Sequence, residues 1–329
     1  MTNSEALLDL AYHSLAHWGL KGNLRLIKER ENSVYAFSDN HQQFALRVHR
    51  LGYHTNRSLT SEHRWIRALA KAGISVPQAV PTEQGNDFAV VSTDRLADDR
   101  QVDLMVWIEG HQLGSVESGM DTDGPDIRSV YQTMGRVAAQ IHDQATQWEI
   151  PADFERHSWD LDGLLGSQPF WGRFWELAAL TPQQKQRIVY VRERLRDDLS
   201  SFGQTSENFS LIHADFSPEN FLVDGDKVQV IDFDDAGYGW HMFELATALY
   251  FIQDEPYYEV AKLALIEGYR TRRRLSDDDV AQLPSFMAAR ALTYLGWVHD
   301  RPDSATAQEL TPTLIDLCNR TLDQYDQTT

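Results

Sequence analysis

Two short apolar runs in the stretch LIHADFSPENFLVDGDKVQVIDFDD, Leu211–Asp235, each end in carboxylates, with a histidine and an amide between them. A strand that buries its face gains about 25 cal/mol per Å² of apolar surface. Acidic residues at its end forgo that gain and need partners if they are buried. The pattern reads as a rigid scaffold presenting oxygen ligands at one spot. His213, Asp215 and Asn220 form H-x-D-x-x-x-x-N, and Asp232 follows the second run. Oxygen donors suit a hard cation such as Mg²⁺, which often takes only one or two protein carboxylates and fills its shell with phosphate oxygens. Asn220 and Asp232 can supply the protein oxygens, while Asp215 stays free to orient or deprotonate an acceptor hydroxyl. Zinc is a poorer match, since neither a helically spaced histidine pair nor a cysteine accompanies the carboxylates. Taken singly, each residue could be a turn former; behind two apolar runs they read together as a site. Asp234 and Asp235 stay open between a metal-adjacent role and a solvated turn.

The elements that must position this stretch fall into two groups. SVYAF (Ser33–Phe37) and FALRVH (Phe44–His49) alternate and flank the turn-rich SDNHQQ, a hairpin pattern. In SLTSEHRWIRALAKAG, Leu59, Trp65, Ile66 and Leu69 fall at helical spacing, and Gly73 ends the run. DFAVVST (Asp87–Thr93) and VDLMVWI (Val102–Ile108) read as further strands. Past EGHQLG (Glu109–Gly114) the character becomes helical in DIRSVYQTMGRVAAQIHDQA, TPQQKQRIVYVRERLRDDL, EVAKLALIEGYRTRR, SFMAARALTYLGWVHD and ELTPTLIDLCNRTLDQY, with the acidic stretch set among them as two small strand pairs. The expectation is an α+β chain of two lobes: an N-terminal lobe over 1–108, a connection over 109–114 and a larger, mainly helical lobe over 115–329.

Composition narrows the partners. At 329 residues the chain exceeds what one core usually serves. A formal charge of −19 with no basic stripe argues against nucleic acid and permits a cationic acceptor. A single cysteine, Cys318, excludes an internal disulfide and suits a reducing compartment. The N-terminus lacks the pattern of a signal peptide, and no run approaches the roughly 20 apolar residues of a membrane span. A cytoplasmic location without membrane attachment is therefore expected; the oligomeric state is not legible.

The kinase catalytic loop has the same spacing as His213, Asp215 and Asn220 and is likewise followed by a metal-holding Asp. More specifically, LIHADFSPENFLV…VQVIDFDDAGYGWHMFELATAL resembles the aminoglycoside phosphotransferase and choline kinase superfamily, and within it the branch of type II homoserine kinases and the bacterial stress-response kinase A. ENSVYAF and FALRVHRLGYHTNRSLTSEHRWIRALAKAGISVPQAV fit as well. The resemblance implies a two-lobe protein-kinase-like fold, with a small antiparallel sheet and one main helix in the N-lobe, and ATP held between the lobes with Mg²⁺. It implies Asp215 as the catalytic base and Asn220 and Asp232 as metal ligands. It places Arg47 on the nucleotide phosphates, Glu62 as its ion-pair partner, and the Val106–Ile108 backbone against adenine. His213 reads as a buttress of the loop.

Three departures stand out. Arg47 replaces the usual Lys, an exchange that alters geometry. The phosphate-covering segment KERENSVY has no glycine, so Asn32 and Ser33 would have to contact the phosphates in place of a glycine-rich backbone cradle. Glu244 stands where the family usually has an Asp that steadies the catalytic loop. Simpler readings run alongside: Arg47 snorkelling to the surface, Glu62 as an exposed helix charge, His41, His49, His54 and His63 as surface or structural residues, and Trp159, Phe170 and Trp171 as core or as lining of an acceptor pocket. The expected reaction is phosphorylation of a small hydroxylated molecule such as homoserine, an amino sugar or an amino alcohol. The alternatives are a protein Ser/Thr acceptor and a catalytically idle nucleotide-binding scaffold.

Overall fold

The computed structural model describes residues 3–39, 42–115, 119–120, 126–224 and 227–328, so His41 lies outside the described residues. The chain divides into two units. One comprises Met1–His111, Ile150–Glu155 and Leu222–Ile231; the other comprises Gln112–Glu149, Arg156–Phe221 and Asp232–Thr329.

The first unit begins with helix α1 (Asn3–Ser14) and is built on strands β1 (Leu24–Glu29), β2 (Ser33–Ser38), β3 (Gln43–Val48), β4 (Phe88–Val91) and β5 (Arg100–Val106). They form one antiparallel sheet in the order β1-β2-β3-β5-β4. The hairpin expected from alternation is present, with Ser33 opposite Val48 and Phe37 opposite Phe44. Tyr35, Phe37, Leu46, Val48, Val102 and Leu104 turn to one core, which Leu10 and Leu15 from the N-terminal helical region complete. Helix α2 (Asn56–Lys71) starts where the Thr55 hydroxyl accepts the Ser58 N–H, and it buries Leu59, Trp65, Ile66 and Leu69 as their spacing requires. The excursion Ile150–Glu155 is tied to this helix: Arg64 donates to Asp153, and the hydroxyl of Ser61 accepts the Glu155 N–H.

The short strands β6 (His111–Gln112), β7 (Gly114–Ser115) and β8 (Gly119–Met120) lead to helix α3 (Ile127–Gln147), and β9 (Ser158–Trp159), α4 (Leu161–Leu165), α5 (Pro182–Phe202) and β10 (Phe209–Ile212) follow. Helix α5 is opened by a capping box between Thr181 and Gln184, with Pro182 at its first position. Strands β11 (Phe221–Asp224) and β12 (Lys227–Val230) return the chain to the first unit, where the Val230 N–H donates to the Ser75 carbonyl. Strand β13 (Gly237–Trp240) then pairs with β10 and β9, before helices α6 (His241–Tyr250), α7 (Tyr258–Arg270), α8 (Asp277–Ala281), α9 (Leu283–His299) and α10 (Ala305–Thr328). Helices α3 and α7 cross backbone against backbone at two glycines. A Cβ on Gly135 would lie 2.0 Å from the Leu265 carbonyl oxygen, and one on Gly268 would lie 2.0 Å from that of Gln132. Helix α9 is buried along most of its length and carries Arg290 into the core of the second unit. No described helix is long and apolar enough to cross a membrane.

Candidate active site

Strand β10 ends at the buried Ile212, and the chain then turns through Ala214 at φ 65°, a left-handed conformation that costs a non-glycine residue about 1–2 kcal/mol. The turn is held by Glu244, from the first turn of α6. Its carboxylate accepts the His213 N–H at 2.8 Å and the Ala214 N–H at 2.7 Å. The extra methylene relative to Asp therefore does not prevent Glu244 from reaching the loop. Burial pushes the Glu244 carboxyl up, against the opposing pull of His213 and the two backbone N–H groups. The fully buried His213 accepts the Asp215 N–H on Nδ1 at 3.2 Å and packs edge-on against Phe233 at 4.7 Å. It sits as a buttress.

Asp215 is thus delivered by a braced turn. Asn220, at the end of the 3₁₀ turn Pro218–Asn220, donates through Nδ2 to the Asp215 main-chain carbonyl at 2.8 Å and to Oδ2 at 2.7 Å. Arg290 donates to the other carboxylate oxygen, Oδ1, at 3.1 Å. Burial pushes the Asp215 carboxyl up to about 6; Arg290 opposes that rise, while Asp235 and Glu219 add to it. Because the Asn220 amide spends both hydrogens on Asp215, its Oδ1 is turned away from that residue as an acceptor. A carboxamide oxygen is one of the ligands a hard cation accepts.

Asp232 is exposed, and it too is left-handed, at φ 65°. The loop beyond it is gripped by its carbonyls. Arg156 donates to the oxygens of Phe233 at 3.1 Å, Asp234 at 2.6 Å and Ala236. His157 Nε2 and Trp159 Nε1 both donate to that of Asp235 at 2.9 Å. Trp159 is completely buried and Trp171 nearly so, which makes them core; Phe170 stacks on His157 at 3.8 Å. Asp234 is buried rather than a solvated turn residue, and Asp235 is half-buried.

In the first unit, Arg47 and Glu62 meet at 2.8 Å, with Glu62 buried and Arg47 mostly so. Neither simple reading holds: Arg47 does not snorkel, and Glu62 is not an exposed helix charge. A third residue joins them that the sequence analysis did not single out. Asp103, inside the apolar run of β5, takes Arg47 Nε at 3.2 Å and Nη2 at 2.7 Å, and His49 Nε2 lies 3.1 Å away. Burial alone would raise the Asp103 carboxyl; Arg47 and then His49 outweigh it and hold it well below the usual carboxylate range. An acid at the second position of VDLMVWI is the signal, since such a residue needs a buried partner. His49, His54 and His63 are buried, in keeping with structural roles.

The β1–β2 turn is bound to the segment after β3. Asn32 Oδ1 accepts the Arg50 N–H at 3.0 Å, Glu31 pairs with the Arg50 guanidinium, and that guanidinium lies 3.2 Å from the centre of the Tyr53 ring. Ser33 is buried at the start of β2. At the end of β5 the Val106 N–H goes to the Gln78 carbonyl at 2.8 Å and the Trp107 N–H to that of Gln43 at 3.0 Å; Ile108 lies past the strand.

Comparison with known proteins identifies a family. A model of a phosphotransferase enzyme family matches residues 23–276. The amicoumacin kinase of Bacillus subtilis (strain 168) is 23% identical over 300 residues, covering 88% of this chain and 83% of that protein. Among solved structures, a microcompartment-associated aminopropanol kinase superposes with a TM-score of 0.84 at 30% identity, covering 97% of each chain. The amicoumacin kinase hAmiN, solved with AMP-PNP, Ca²⁺ and Ami, gives 0.76 at 19% identity, covering 100% of this chain and 98% of that one.

Proposed function

The chain belongs to the phosphotransferase enzyme family, and from that premise we propose that it transfers the γ-phosphate of ATP to the hydroxyl of a small amino alcohol, with Asp215 as the base. The choice of acceptor rests on the likeness to the aminopropanol kinase and on the acidic balance of the chain. One observation carries the choice of base. Asp215 is held on both carboxylate oxygens, by Asn220 and by Arg290, at the end of a left-handed turn braced by Glu244.

The acceptor hydroxyl donates a hydrogen bond to Asp215 and loses its proton to that carboxylate as the new O–P bond forms. The bond to the leaving phosphate breaks, and ADP departs. Most of the rate gain comes from fixed positions and fixed charges, since the transferring group needs little covalent help. Asn220 Oδ1 and the Asp232 carboxylate would hold Mg²⁺, which would supply positive charge to offset that of the phosphates. Asn32, in the turn before β2, and Ser33, at the start of β2, would cover the phosphates, Arg47 paired with Glu62 would supply a cation to the nucleotide, and the backbone of Val106–Ile108 would meet adenine. With the Val106 N–H already engaged, Ile108 is the amide that serves.

The test is an ADP-release screen of amino alcohols, amino sugars, amino acids and a protein substrate, with and without Mg²⁺. We expect Mg²⁺-dependent release with an amino alcohol, and its loss in Asp215→Ala with ATP binding retained. Equal turnover by Asp215→Ala would remove Asp215 from the reaction, and release only with the protein substrate would reassign the acceptor.

A further inference from the structure

The charge beside Asp215 comes from an unexpected place. Arg290 lies at the middle of α9, beyond the residues that the family model matches, and its side chain is completely buried. Its Nη2 donates to Asp215 Oδ1 at 3.1 Å and to the Tyr294 hydroxyl at 2.8 Å, while Nε and Nη1 have no hydrogen-bond partner among the described residues. Three rings surround the guanidinium, with centres 4.2 Å (Tyr294), 4.9 Å (Trp171) and 5.4 Å (Phe243) from Cζ.

A buried arginine with two unused donors is a poor way to stabilise a core. Taking the charge out of water is expensive, and apolar residues of similar volume often do as well or better. The aromatic faces return part of that cost, but they would pack against a methionine or leucine just as closely. What only the cation supplies at this place is a fixed positive charge on one oxygen of Asp215. The second oxygen belongs to Asn220, so the carboxylate plane is set by two donors from different elements, α9 and the 3₁₀ turn.

We propose that Arg290 is a positioning residue for phosphoryl transfer: it clamps Asp215 Oδ1 so that the carboxylate stays in register with the acceptor hydroxyl. The inference rests on Asp215 as the base. It also assigns a role to α9, making this helix a determinant of the reaction through a residue that need not touch substrate.

Steady-state kinetics of Arg290→Ala, Arg290→Lys and Arg290→Gln test the clamp, each with and without added methylguanidine. Loss of the clamp is expected to lower kcat about 10²-fold, the scale of a small misplacement of a catalytic group. The KM for MgATP should stay near the wild-type value, methylguanidine should restore part of kcat in Arg290→Ala alone, and Arg290→Lys should keep more activity than Arg290→Gln. Wild-type kcat in Arg290→Ala overturns the proposal, as does a loss confined to KM or one that methylguanidine does not relieve. If the wild-type protein turns over no acceptor, the kinase reading falls and takes the catalytic part of this role with it. The clamp is then read from unfolding of Asp215→Asn, Arg290→Gln and the double variant, where coupling supports the pairing and additivity overturns it.

Discussion

Arg47 and Asp103 stand directly opposite each other on β3 and β5, and the guanidinium meets the carboxylate through two nitrogens. Cross-strand pairs of this kind are sheet-stabilising contacts, and here both partners are withdrawn from water. Asp103→Asn removes the negative charge that faces both Arg47 and His49. Breaking a buried pair from one side costs about 3–5 kcal/mol, and denaturant unfolding at neutral pH should show a loss of that order. The sign with pH follows from the depressed folded-state value of Asp103. Its contribution is complete above the unfolded carboxylate range near about pH 4 and is lost as pH falls through the lower folded value. The gap between wild type and Asp103→Asn should therefore narrow in acid; a gap independent of pH would show that the charge of Asp103 is not what stabilises the sheet.

Glu244 accepts two consecutive N–H groups at the strained turn before Asp215. Glu244→Gln keeps the length but leaves one oxygen for two donors, and Glu244→Ala removes both contacts. Hydrogen bonds to a charged group contribute about 1.5–3 kcal/mol, enough to offset the cost of holding Ala214 left-handed. Both variants should lose kcat, Glu244→Ala by about 10²-fold or more, with nucleotide affinity close to wild type by calorimetry. Normal kcat in a folded Glu244→Ala protein would show that the turn holds itself.

Asn220 serves Asp215 with its nitrogen and a cation with its oxygen in the proposed site. Asn220→Leu removes both functions. The Mg²⁺ concentration needed for half-maximal activity should rise at least about tenfold, the lower end of the effect seen when groups supporting a metal are lost. A Mg²⁺ titration of the rate reads this directly, and an unmoved midpoint would take Asn220 out of the metal site.

Gly268 lets α7 meet α3 at backbone distance. Gly268→Ala gains helix propensity of about 1 kcal/mol, but its Cβ would lie 2.0 Å from a main-chain oxygen that no rotamer change can move. Overpacking of this sort costs about 1–3 kcal/mol, so the clash should outweigh the propensity gain and the thermal midpoint should fall. A raised midpoint would show that the two helices part easily.

Much of this was legible because the signals were local. The β2–β3 hairpin, the inward face of α2 and the arrangement of His213, Asp215 and Asn220 depend on periodicity and spacing within short stretches. What stayed hidden depends on distant chain. Strand β1 escaped because Leu26 and Ile27 are exposed, which blurs the alternation. Arg290 reads in sequence as one arginine in a mostly apolar helix, and Arg156 as one cation in a loop. Their meaning comes from partners 75 and 77–80 residues away. The carbonyls that Arg156 seeks carry no side-chain signature at all.

The grip of Arg156, His157 and Trp159 on the carbonyls of Phe233–Ala236 also bears on how such a protein is controlled. Each of those hydrogen bonds contributes about 0.5–1.5 kcal/mol net, and they share one short loop, so releasing it means breaking them together. A segment fastened in this way is a fixture rather than a latch. For the proposed reaction, control of turnover would then fall to the supply of nucleotide and acceptor, with the stretch around Asp232 held in one shape throughout.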